Sequence, residues 1–508
     1  MLNNTSKFCS ALFAISLIGS NSYANAANLA PITSLLLLED TEPRLVDSCQ
    51  AQFVMDTNLG EGDGQIFDDV SPGFTQLGDI VYFHPRGQGG LWVTDGSSTG
   101  TYQVSEISPS SSSSFGRPVM VPLGNEIFFG ASSSEGVGLW RSGGTAESTS
   151  LVRQLARGGG ELPVALTKFN DRLYFISAGE TVGDNRNDEG LWVSDGSTSG
   201  TDLLRDITPN SGSIASSEAM AITNNRLIFS ARGDAGLEPW VSDGSFDGTQ
   251  ILRDIAEVSG SNADGYTPIG DKVFFFADNG INGYEAWVTD GTNDGTSLVK
   301  DIYPGGESGV LANRFNSQSL DVVDFVDLDG SALFIANDGT HGNELWISDG
   351  SSEGTIMLSD INPGDGDGLE EDALKNVAIL NGKAYFPANE SSITAEELWV
   401  TDGTVEGTQL FALQGASSSI NPRYTVGARD LLFSNANGEL LVIDESGNTN
   451  QIDLRPTTPL ASAPSFFFDF NGQILFFAET GSINSDSGPL GRELWSLSCD
   501  FDAFNTQE

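Results

Sequence analysis

Leu91-Trp92-Val93-Thr94-Asp95-Gly96 recurs along the chain, and its recurrence decides the fold. All eight tryptophans sit in this setting: Trp92, Trp140, Trp192, Trp240, Trp287, Trp346, Trp399 and Trp495. A ninth copy, Glu439-Leu440-Leu441-Val442-Ile443-Asp444, carries Leu441 at the tryptophan position. Successive copies are 48, 52, 48, 47, 59, 53, 42 and 54 residues apart. A period near 50 with strand-type composition marks a repeat architecture, whose units bury their faces by stacking on one another.

The fifth unit shows what each contains. Tyr266–Ile269 reads as a short first strand and Lys272–Phe276 as an apolar second. Glu285–Thr289 is the third, Asp290–Thr296 a turn, and Ser297–Asp301 the fourth. β-branched and aromatic runs broken by Asp-Gly and Gly-Thr are strand and hairpin signals. The expected fold is all-β: a β-propeller of about nine four-stranded blades, with eight as the alternative. One buried Trp per unit removes roughly 150–250 Å² from water. The eight tryptophans are therefore read as structural anchors between blades.

Composition excludes several classes. In 508 residues, 70 Asp and Glu against 23 Lys and Arg leave a net charge of −47. Nucleic-acid binding needs a basic footprint, which is missing. Residues 1–26 read as an export leader, with Lys7, an apolar run from Phe8 to Ile18, and Ala24-Asn25-Ala26 as the cleavage site. No later stretch approaches the roughly 20 apolar residues that span a bilayer. The expected protein is exported and soluble, extracellular or periplasmic, with no membrane insertion. Its expected parts are the leader 1–26, an extension 27–48, one propeller 49–502 and a tail 503–508.

The ends of the chain suggest how the ring closes. The ninth unit has a second strand at Ile474–Phe477 and a third at Glu493–Ser496, but no fourth follows. Ala51–Asp56 resembles the missing segment. Aligned this way, Cys49 and Cys499 face one another across the absent hairpin loop, and a disulfide between them is expected in an oxidising compartment.

The units resemble the ELWxxDGT repeat family from about residue 50 to 500. The nearest matches are Glu397-Leu398-Trp399-Val400-Thr401-Asp402-Gly403-Thr404-Val405-Glu406-Gly407-Thr408 and Glu344-Leu345-Trp346-Ile347-Ser348-Asp349-Gly350. The resemblance implies a propeller-like fold and says little about activity. Departures are Gly143 for the turn Asp, Ser148 for its second Gly, and the whole turn after Asp444; those hairpins are expected to differ.

Candidate chemistry is sparse. Two histidines, His84 and His341, cannot make a multi-histidine metal centre, and acid–base work by either needs a positioned partner. Gly96–Gly100 and Gly350–Gly354 match the nucleophile-elbow pattern, but they are repeat turns between strands, not strand-to-helix turns. Calcium has some support: Asp327 and Asp329, and Asp365 and Asp367, group oxygen ligands around glycine, with Asp63, Asp68 and Asp69 weaker. The competing reading is an acidic solvated loop. No organic cofactor is expected. Function is expected in the longest inserts, 179–189, 303–320 and 481–491. The favoured expectation is a non-enzymatic module binding a glycan, matrix component or extracellular protein. A polysaccharide hydrolase or lyase with channel carboxylates, or a structural part of a surface assembly, are the alternatives.

Overall fold

In the computed structural model the described residues run from 49 to 499. They leave aside 56–71, 86–88, 110–118, 135, 157–161, 181–186, 208–219, 311–322, 371–372, 391–395, 414–421, 429–430, 437, 455–461, 463 and 480–491. The described residues all fall within the unit 44–508. The expected leader 1–26, extension 27–48 and tail 503–508 lie outside the described residues, as do Asp63, Asp68 and Asp69. Among the described residues no helix is long and apolar enough to cross a membrane.

That unit is a nine-bladed β-propeller: nine antiparallel sheets of four strands each, in a ring. The eight-bladed alternative falls away. Blade five consists of Asp264–Ile269, Lys272–Asp278, Tyr284–Thr289 and Ser297–Leu298. Blade nine takes three strands from the chain end, Ser465–Phe470, Gln473–Glu479 and Arg492–Cys499, and its fourth from Cys49–Met55. The borrowed strand pairs Phe53 with Trp495 and Cys49 with Cys499. A disulfide joins those cysteines, 450 residues apart. Chain-entropy arithmetic for so long a loop puts the stabilisation near a ceiling of about 6 kcal/mol.

One cross-strand pair recurs at the centre of eight blades. A Phe on the second strand faces the Trp on the third: Phe83 and Trp92, Phe175 and Trp192, Phe275 and Trp287, Phe386 and Trp399, among others. All eight tryptophans are buried. Each aromatic pair packs on the preceding blade; Phe275 and Trp287 lie against Ala221, Ile228 and Val241 of blade four. Phe83 and Trp92 lie against Leu475, Phe477 and Leu494 of blade nine, so the same contact closes the ring. Burying one such Trp is worth at most about 4–6 kcal/mol.

The Asp-Gly turn between third and fourth strands is a self-contained hydrogen-bond unit. In blade one, Asp95 Oδ1 accepts the backbone N–H of Ser97 at 2.9 Å and its hydroxyl at 2.6 Å. Ser97 Oγ accepts Gly100 N at 3.1 Å, and Thr101 Oγ1 donates to Ser97 O at 2.6 Å. A Cβ on Gly100 would sit 2.1 Å from the Asp95 carboxyl, so carboxylate and glycine occupy one space. Blade two exchanges them. Gly143 replaces the Asp, and Ser148 Oγ accepts Gly143 N at 3.1 Å and Thr145 N at 3.0 Å in place of the carboxylate. The two departures from the motif compensate each other.

Fourth strands range from two to seven residues. Blades two and three carry long ones, Ser150–Ala156 and Thr201–Asp206, that continue past a bulge beside the Trp. Two residues before the Trp they have Gly138 and Gly190; a Cβ there would meet Arg153 O at 2.4 Å and Arg205 O at 2.0 Å. Gly90 of blade one is as tight, 2.3 Å from Ser105 O. Blades four, five and six have Glu238, Glu285 and Glu344 at this position, and strands of two residues. The expected strand Ser297–Asp301 is thus corrected: it ends at Leu298, and the Glu285 carboxylate takes N–H groups of the loop that follows.

Candidate functional site

The buried glutamates gather the loops that leave those short strands. Glu238 accepts the backbone N–H groups of Ile255, Ala256 and Ser261 and the Ser261 hydroxyl. Glu285 accepts those of Tyr303 at 3.3 Å and Gly309 at 2.9 Å; Glu344 accepts Ile361 N at 3.0 Å and Asn362 N at 3.2 Å. All three side chains are fully buried. Desolvation pushes Glu285 and Glu344 up to about 7, against the pull of the backbone donors, with Asp301 and Asp360 adding to the rise. Glu238 is raised for the same first reason.

Above these glutamates, the hairpins joining second and third strands in blades five and six share one backbone design with different side chains. In blade five, Asn279 Oδ1 accepts Ile281 N and Asn282 N, both at 2.9 Å, and Asn279 Nδ2 donates to Asn282 Oδ1 at 2.9 Å. In blade six, Asp338 Oδ1 accepts Thr340 N at 2.9 Å and His341 N at 3.0 Å, while Asp338 Oδ2 lies 2.8 Å from His341 Nδ1. A neutral amide pair is thus replaced by an ionisable Asp–His pair on the same turn. The turn does not require the exchange, since Asn279 and Asn282 make it equally well.

Electrostatics around this pair are one-sided. The hydrogen bond that His341 donates to Asp338 raises the imidazole above its ordinary 6.5 against the pull of desolvation, and the charges of Asp338, Asp360 and Glu344 act in the same direction as the bond. Burial works to raise Asp338, but bonds from His341 and from the Thr340 and His341 N–H groups leave it lowered. Asp360 Oδ1 is buried with no hydrogen-bond partner among the described residues. Such an arrangement of perturbed groups at one end of a blade suits proton transfer.

The two expected calcium pairs, Asp327 with Asp329 and Asp365 with Asp367, lie at opposite ends of blade six. Asp327 Oδ1 accepts Gly330 N at 2.8 Å, closing the turn between first and second strands of blade six. Asp329 belongs to the same turn, with φ 51°. Asp367 Oδ1 accepts Asn343 N at 2.7 Å at the far end of the seven-residue strand Ser331–Asn337, about 20 Å away; Asp365 lies in that same far loop. Among the described residues no group of three or more His, Cys, Asp or Glu is arranged to hold a metal. His84 Nδ1 is 2.8 Å from Gly90 O, holding its own hairpin. Of the inserts 179–189, 303–320 and 481–491, the stretches 181–186, 311–320 and 481–491 lie outside the described residues. Asp338 went unread in the sequence because its repeat motif begins later, at Glu344. The signal was the match of 279–283 with 338–342, visible only when hairpins are compared blade by blade.

Fold and site together define a nine-bladed propeller with an ionisable pair at one hairpin. No protein-family model matches the chain, and no curated protein matches it. Solved structures do. The crystal structure of the tricorn protease is 13% identical over 84% of this chain and 43% of that one, with a TM-score of 0.26. A puromycin-hydrolyzing peptidase of Mycobacterium tuberculosis is 12% identical over 73% and 59%, at 0.34. Oligopeptidase B from Leishmania major is 10% identical over 75% and 54%, at 0.37. This chain therefore spans roughly half the length of those proteins. Those proteins are peptidases by name, which runs against the expected non-enzymatic binding module. At such identities the likeness shows the fold alone.

Proposed function

We propose that the chain is an exported hydrolase of acyl bonds whose acid–base centre is the His341–Asp338 pair of blade six. The observation that carries this is the 2.8 Å contact from His341 Nδ1 to Asp338 Oδ2 on a hairpin that blade five builds with two asparagines. Export is supported by the leader-like residues 1–26 and by the Cys49–Cys499 disulfide.

Asp338 accepts the Nδ1 proton and fixes the ring's tautomer, which leaves Nε2 to act. Nε2 takes a proton from a water as its oxygen attacks the acyl carbon. The imidazolium then gives that proton to the leaving nitrogen or oxygen as the acyl bond breaks, and the neutral ring returns. A neutral imidazole suits water attack on a carbonyl, whereas glycoside cleavage runs on paired carboxyls. Because His341 is raised above 6.5, the base form grows on the alkaline side, and turnover is expected to climb with pH through its midpoint.

The test is hydrolysis of labelled casein and of a chromogenic ester by the native chain and by His341→Asn, which copies blade five and preserves the turn. The expected result is turnover that falls about 100-fold or more in the variant. Equal turnover in both, or none in the native chain, removes the proposal.

A further inference from the structure

First strands of neighbouring blades lie against one another, as Ala221–Thr223 does against Asp264–Ile269, so the fourth strands form the rim. Each fourth strand pairs on one side only within its sheet and is therefore an edge. An edge offers unpaired N–H and C=O groups to any further strand, and charge or proline normally blunts it. Among the described residues three rim strands exceed four residues: Ser150–Ala156, Thr201–Asp206 and Cys49–Met55. The first carries Arg153, and the second Asp202, Arg205 and Asp206. The third, Cys-Gln-Ala-Gln-Phe-Val-Met, has neither charge nor proline.

Phe53 marks the same edge. It stands opposite Trp495, the place held by Ile251, Leu298, Met357 and Leu410 in blades four to seven. Those four side chains are partly buried against the cores between blades. Phe53 meets the Trp495 ring edge-on at 5.7 Å and is still 49% exposed. Gln50 and Gln52 beside it are exposed as well.

We propose that Cys49–Phe53 is a self-association edge, on which two copies of the chain pair antiparallel about a twofold axis and join their four-stranded blade-nine sheets. A twofold contact sets one patch against itself. An identical strand suits this edge: glutamine amides meet glutamine amides, and each Phe53 finds a second apolar surface. A strand of another protein finds no charge here by which to be chosen. The disulfide bounds the pairing at Cys49, and the bulge between Phe53 and Met55 bounds it at the other end.

So short a contact buries less than the roughly 1,200 Å² of stable complexes, and a dissociation constant on the order of 10 µM is expected. Repulsion between chains of net charge −47 opposes it, and salt screens that repulsion. Added salt should therefore tighten the dimer, the reverse of a contact held by opposite charges. The association stands apart from the acid–base pair of blade six and does not depend on it.

The test is sedimentation equilibrium of the native chain from about 1 to 300 µM, at low and at moderate salt. The expected result is a reversible dimer whose share rises with salt. Gln50→Glu combined with Gln52→Glu sets carboxylates against their own copies at exposed positions, and is expected to weaken the dimer about tenfold or more. Should that variant fail to fold, Phe53→Thr trims the exposed ring, keeps strand composition and carries the same expectation. Amide exchange within 49–53 is expected to slow as the dimer fills. A monomer throughout, a dimer that the folded variants leave unchanged, or one that salt loosens overturns the proposal.

Discussion

Blades one to three and blades four to six build the same three inner strands and then part company at one residue. With Gly90, Gly138 or Gly190 two places before the Trp, the fourth strand presses its backbone to within 2.0–2.4 Å of where a Cβ would be. With Glu238, Glu285 or Glu344 there, that approach is closed, the fourth strand stops after two residues, and the carboxylate gathers the N–H groups of the departing loop. A side chain has taken over hydrogen bonding that a strand supplies elsewhere. Across blades one to six this position separates a fourth strand pressed on glycine from a loop organised around a buried glutamate. The Asp338–His341 pair sits on the second kind. Blades eight and nine, by contrast, carry Glu439 and Glu493 there and keep fourth strands of four and seven residues.

The largest break in this comparison is to put the wrong residue into the first kind of blade. Gly190→Glu drives a side chain into Arg205 O and buries a carboxylate without donors; a loss of about 4 kcal/mol or more is expected in chemical denaturation. Stability within about 1 kcal/mol of native would mean that the glycine does not set strand length.

Next comes removal of the gathering carboxylate. Glu285→Ala leaves the N–H groups of Tyr303 and Gly309 without their acceptor. At about 1–3 kcal/mol for each orphaned buried group, a loss near 3 kcal/mol is expected. Hydrogen exchange should rise first at 302–309; exchange confined to other blades would count against the assignment.

Acidity sharpens the same contrast. Glu285 and Glu344 stand near 7 in the folded chain against an ordinary 4.5. Between those values the folded state holds more protons than the unfolded one, so stability present below about 4.5 is lost as pH rises through 7. Melting temperature is expected to climb on acidification from 7.5 toward 5.5, and Glu285→Gln should flatten part of that slope. An equal slope in the variant would place the linkage elsewhere.

The smallest effect concerns the turn. Asp195→Gly removes the acceptor of Ser197 N and Oγ and is expected to cost about 1 kcal/mol, by analogy with a lost cap. Adding Gly200→Ser should restore much of it, because blade two already works this way through Ser148. No rescue in the double variant would mean that the compensation depends on other residues of blade two.

Strand alternation, Asp-Gly turns and one Trp per 50 residues made the blades, their number and the closing strand legible along the chain. These are local signals repeated nine times, and repetition raises weak propensity into a clear pattern. Short fourth strands were not legible, because Ser297–Asp301 has strand composition throughout, while the loop after Leu298 is gathered by Glu285, twelve residues upstream and on another strand. Asp327 with Asp329 and Asp365 with Asp367 read as cation ligands by composition; the structure shows Asp327 and Asp367 each accepting a backbone N–H, at opposite ends of one strand.

By itself the sequence determined a ring of nine units and the pairing of Cys49 with Cys499, since both follow from periodicity and from the single segment missing at the end. Only the tertiary structure decided where ionisable groups meet. Asp338, His341, Glu344 and Asp360 come from a hairpin, a strand and the segment after another strand, and their joint field exists only once the blade has folded. Burial then turns an ordinary glutamate of the repeat into one poised near neutrality, because charge deep in a sheet costs far more than charge in water.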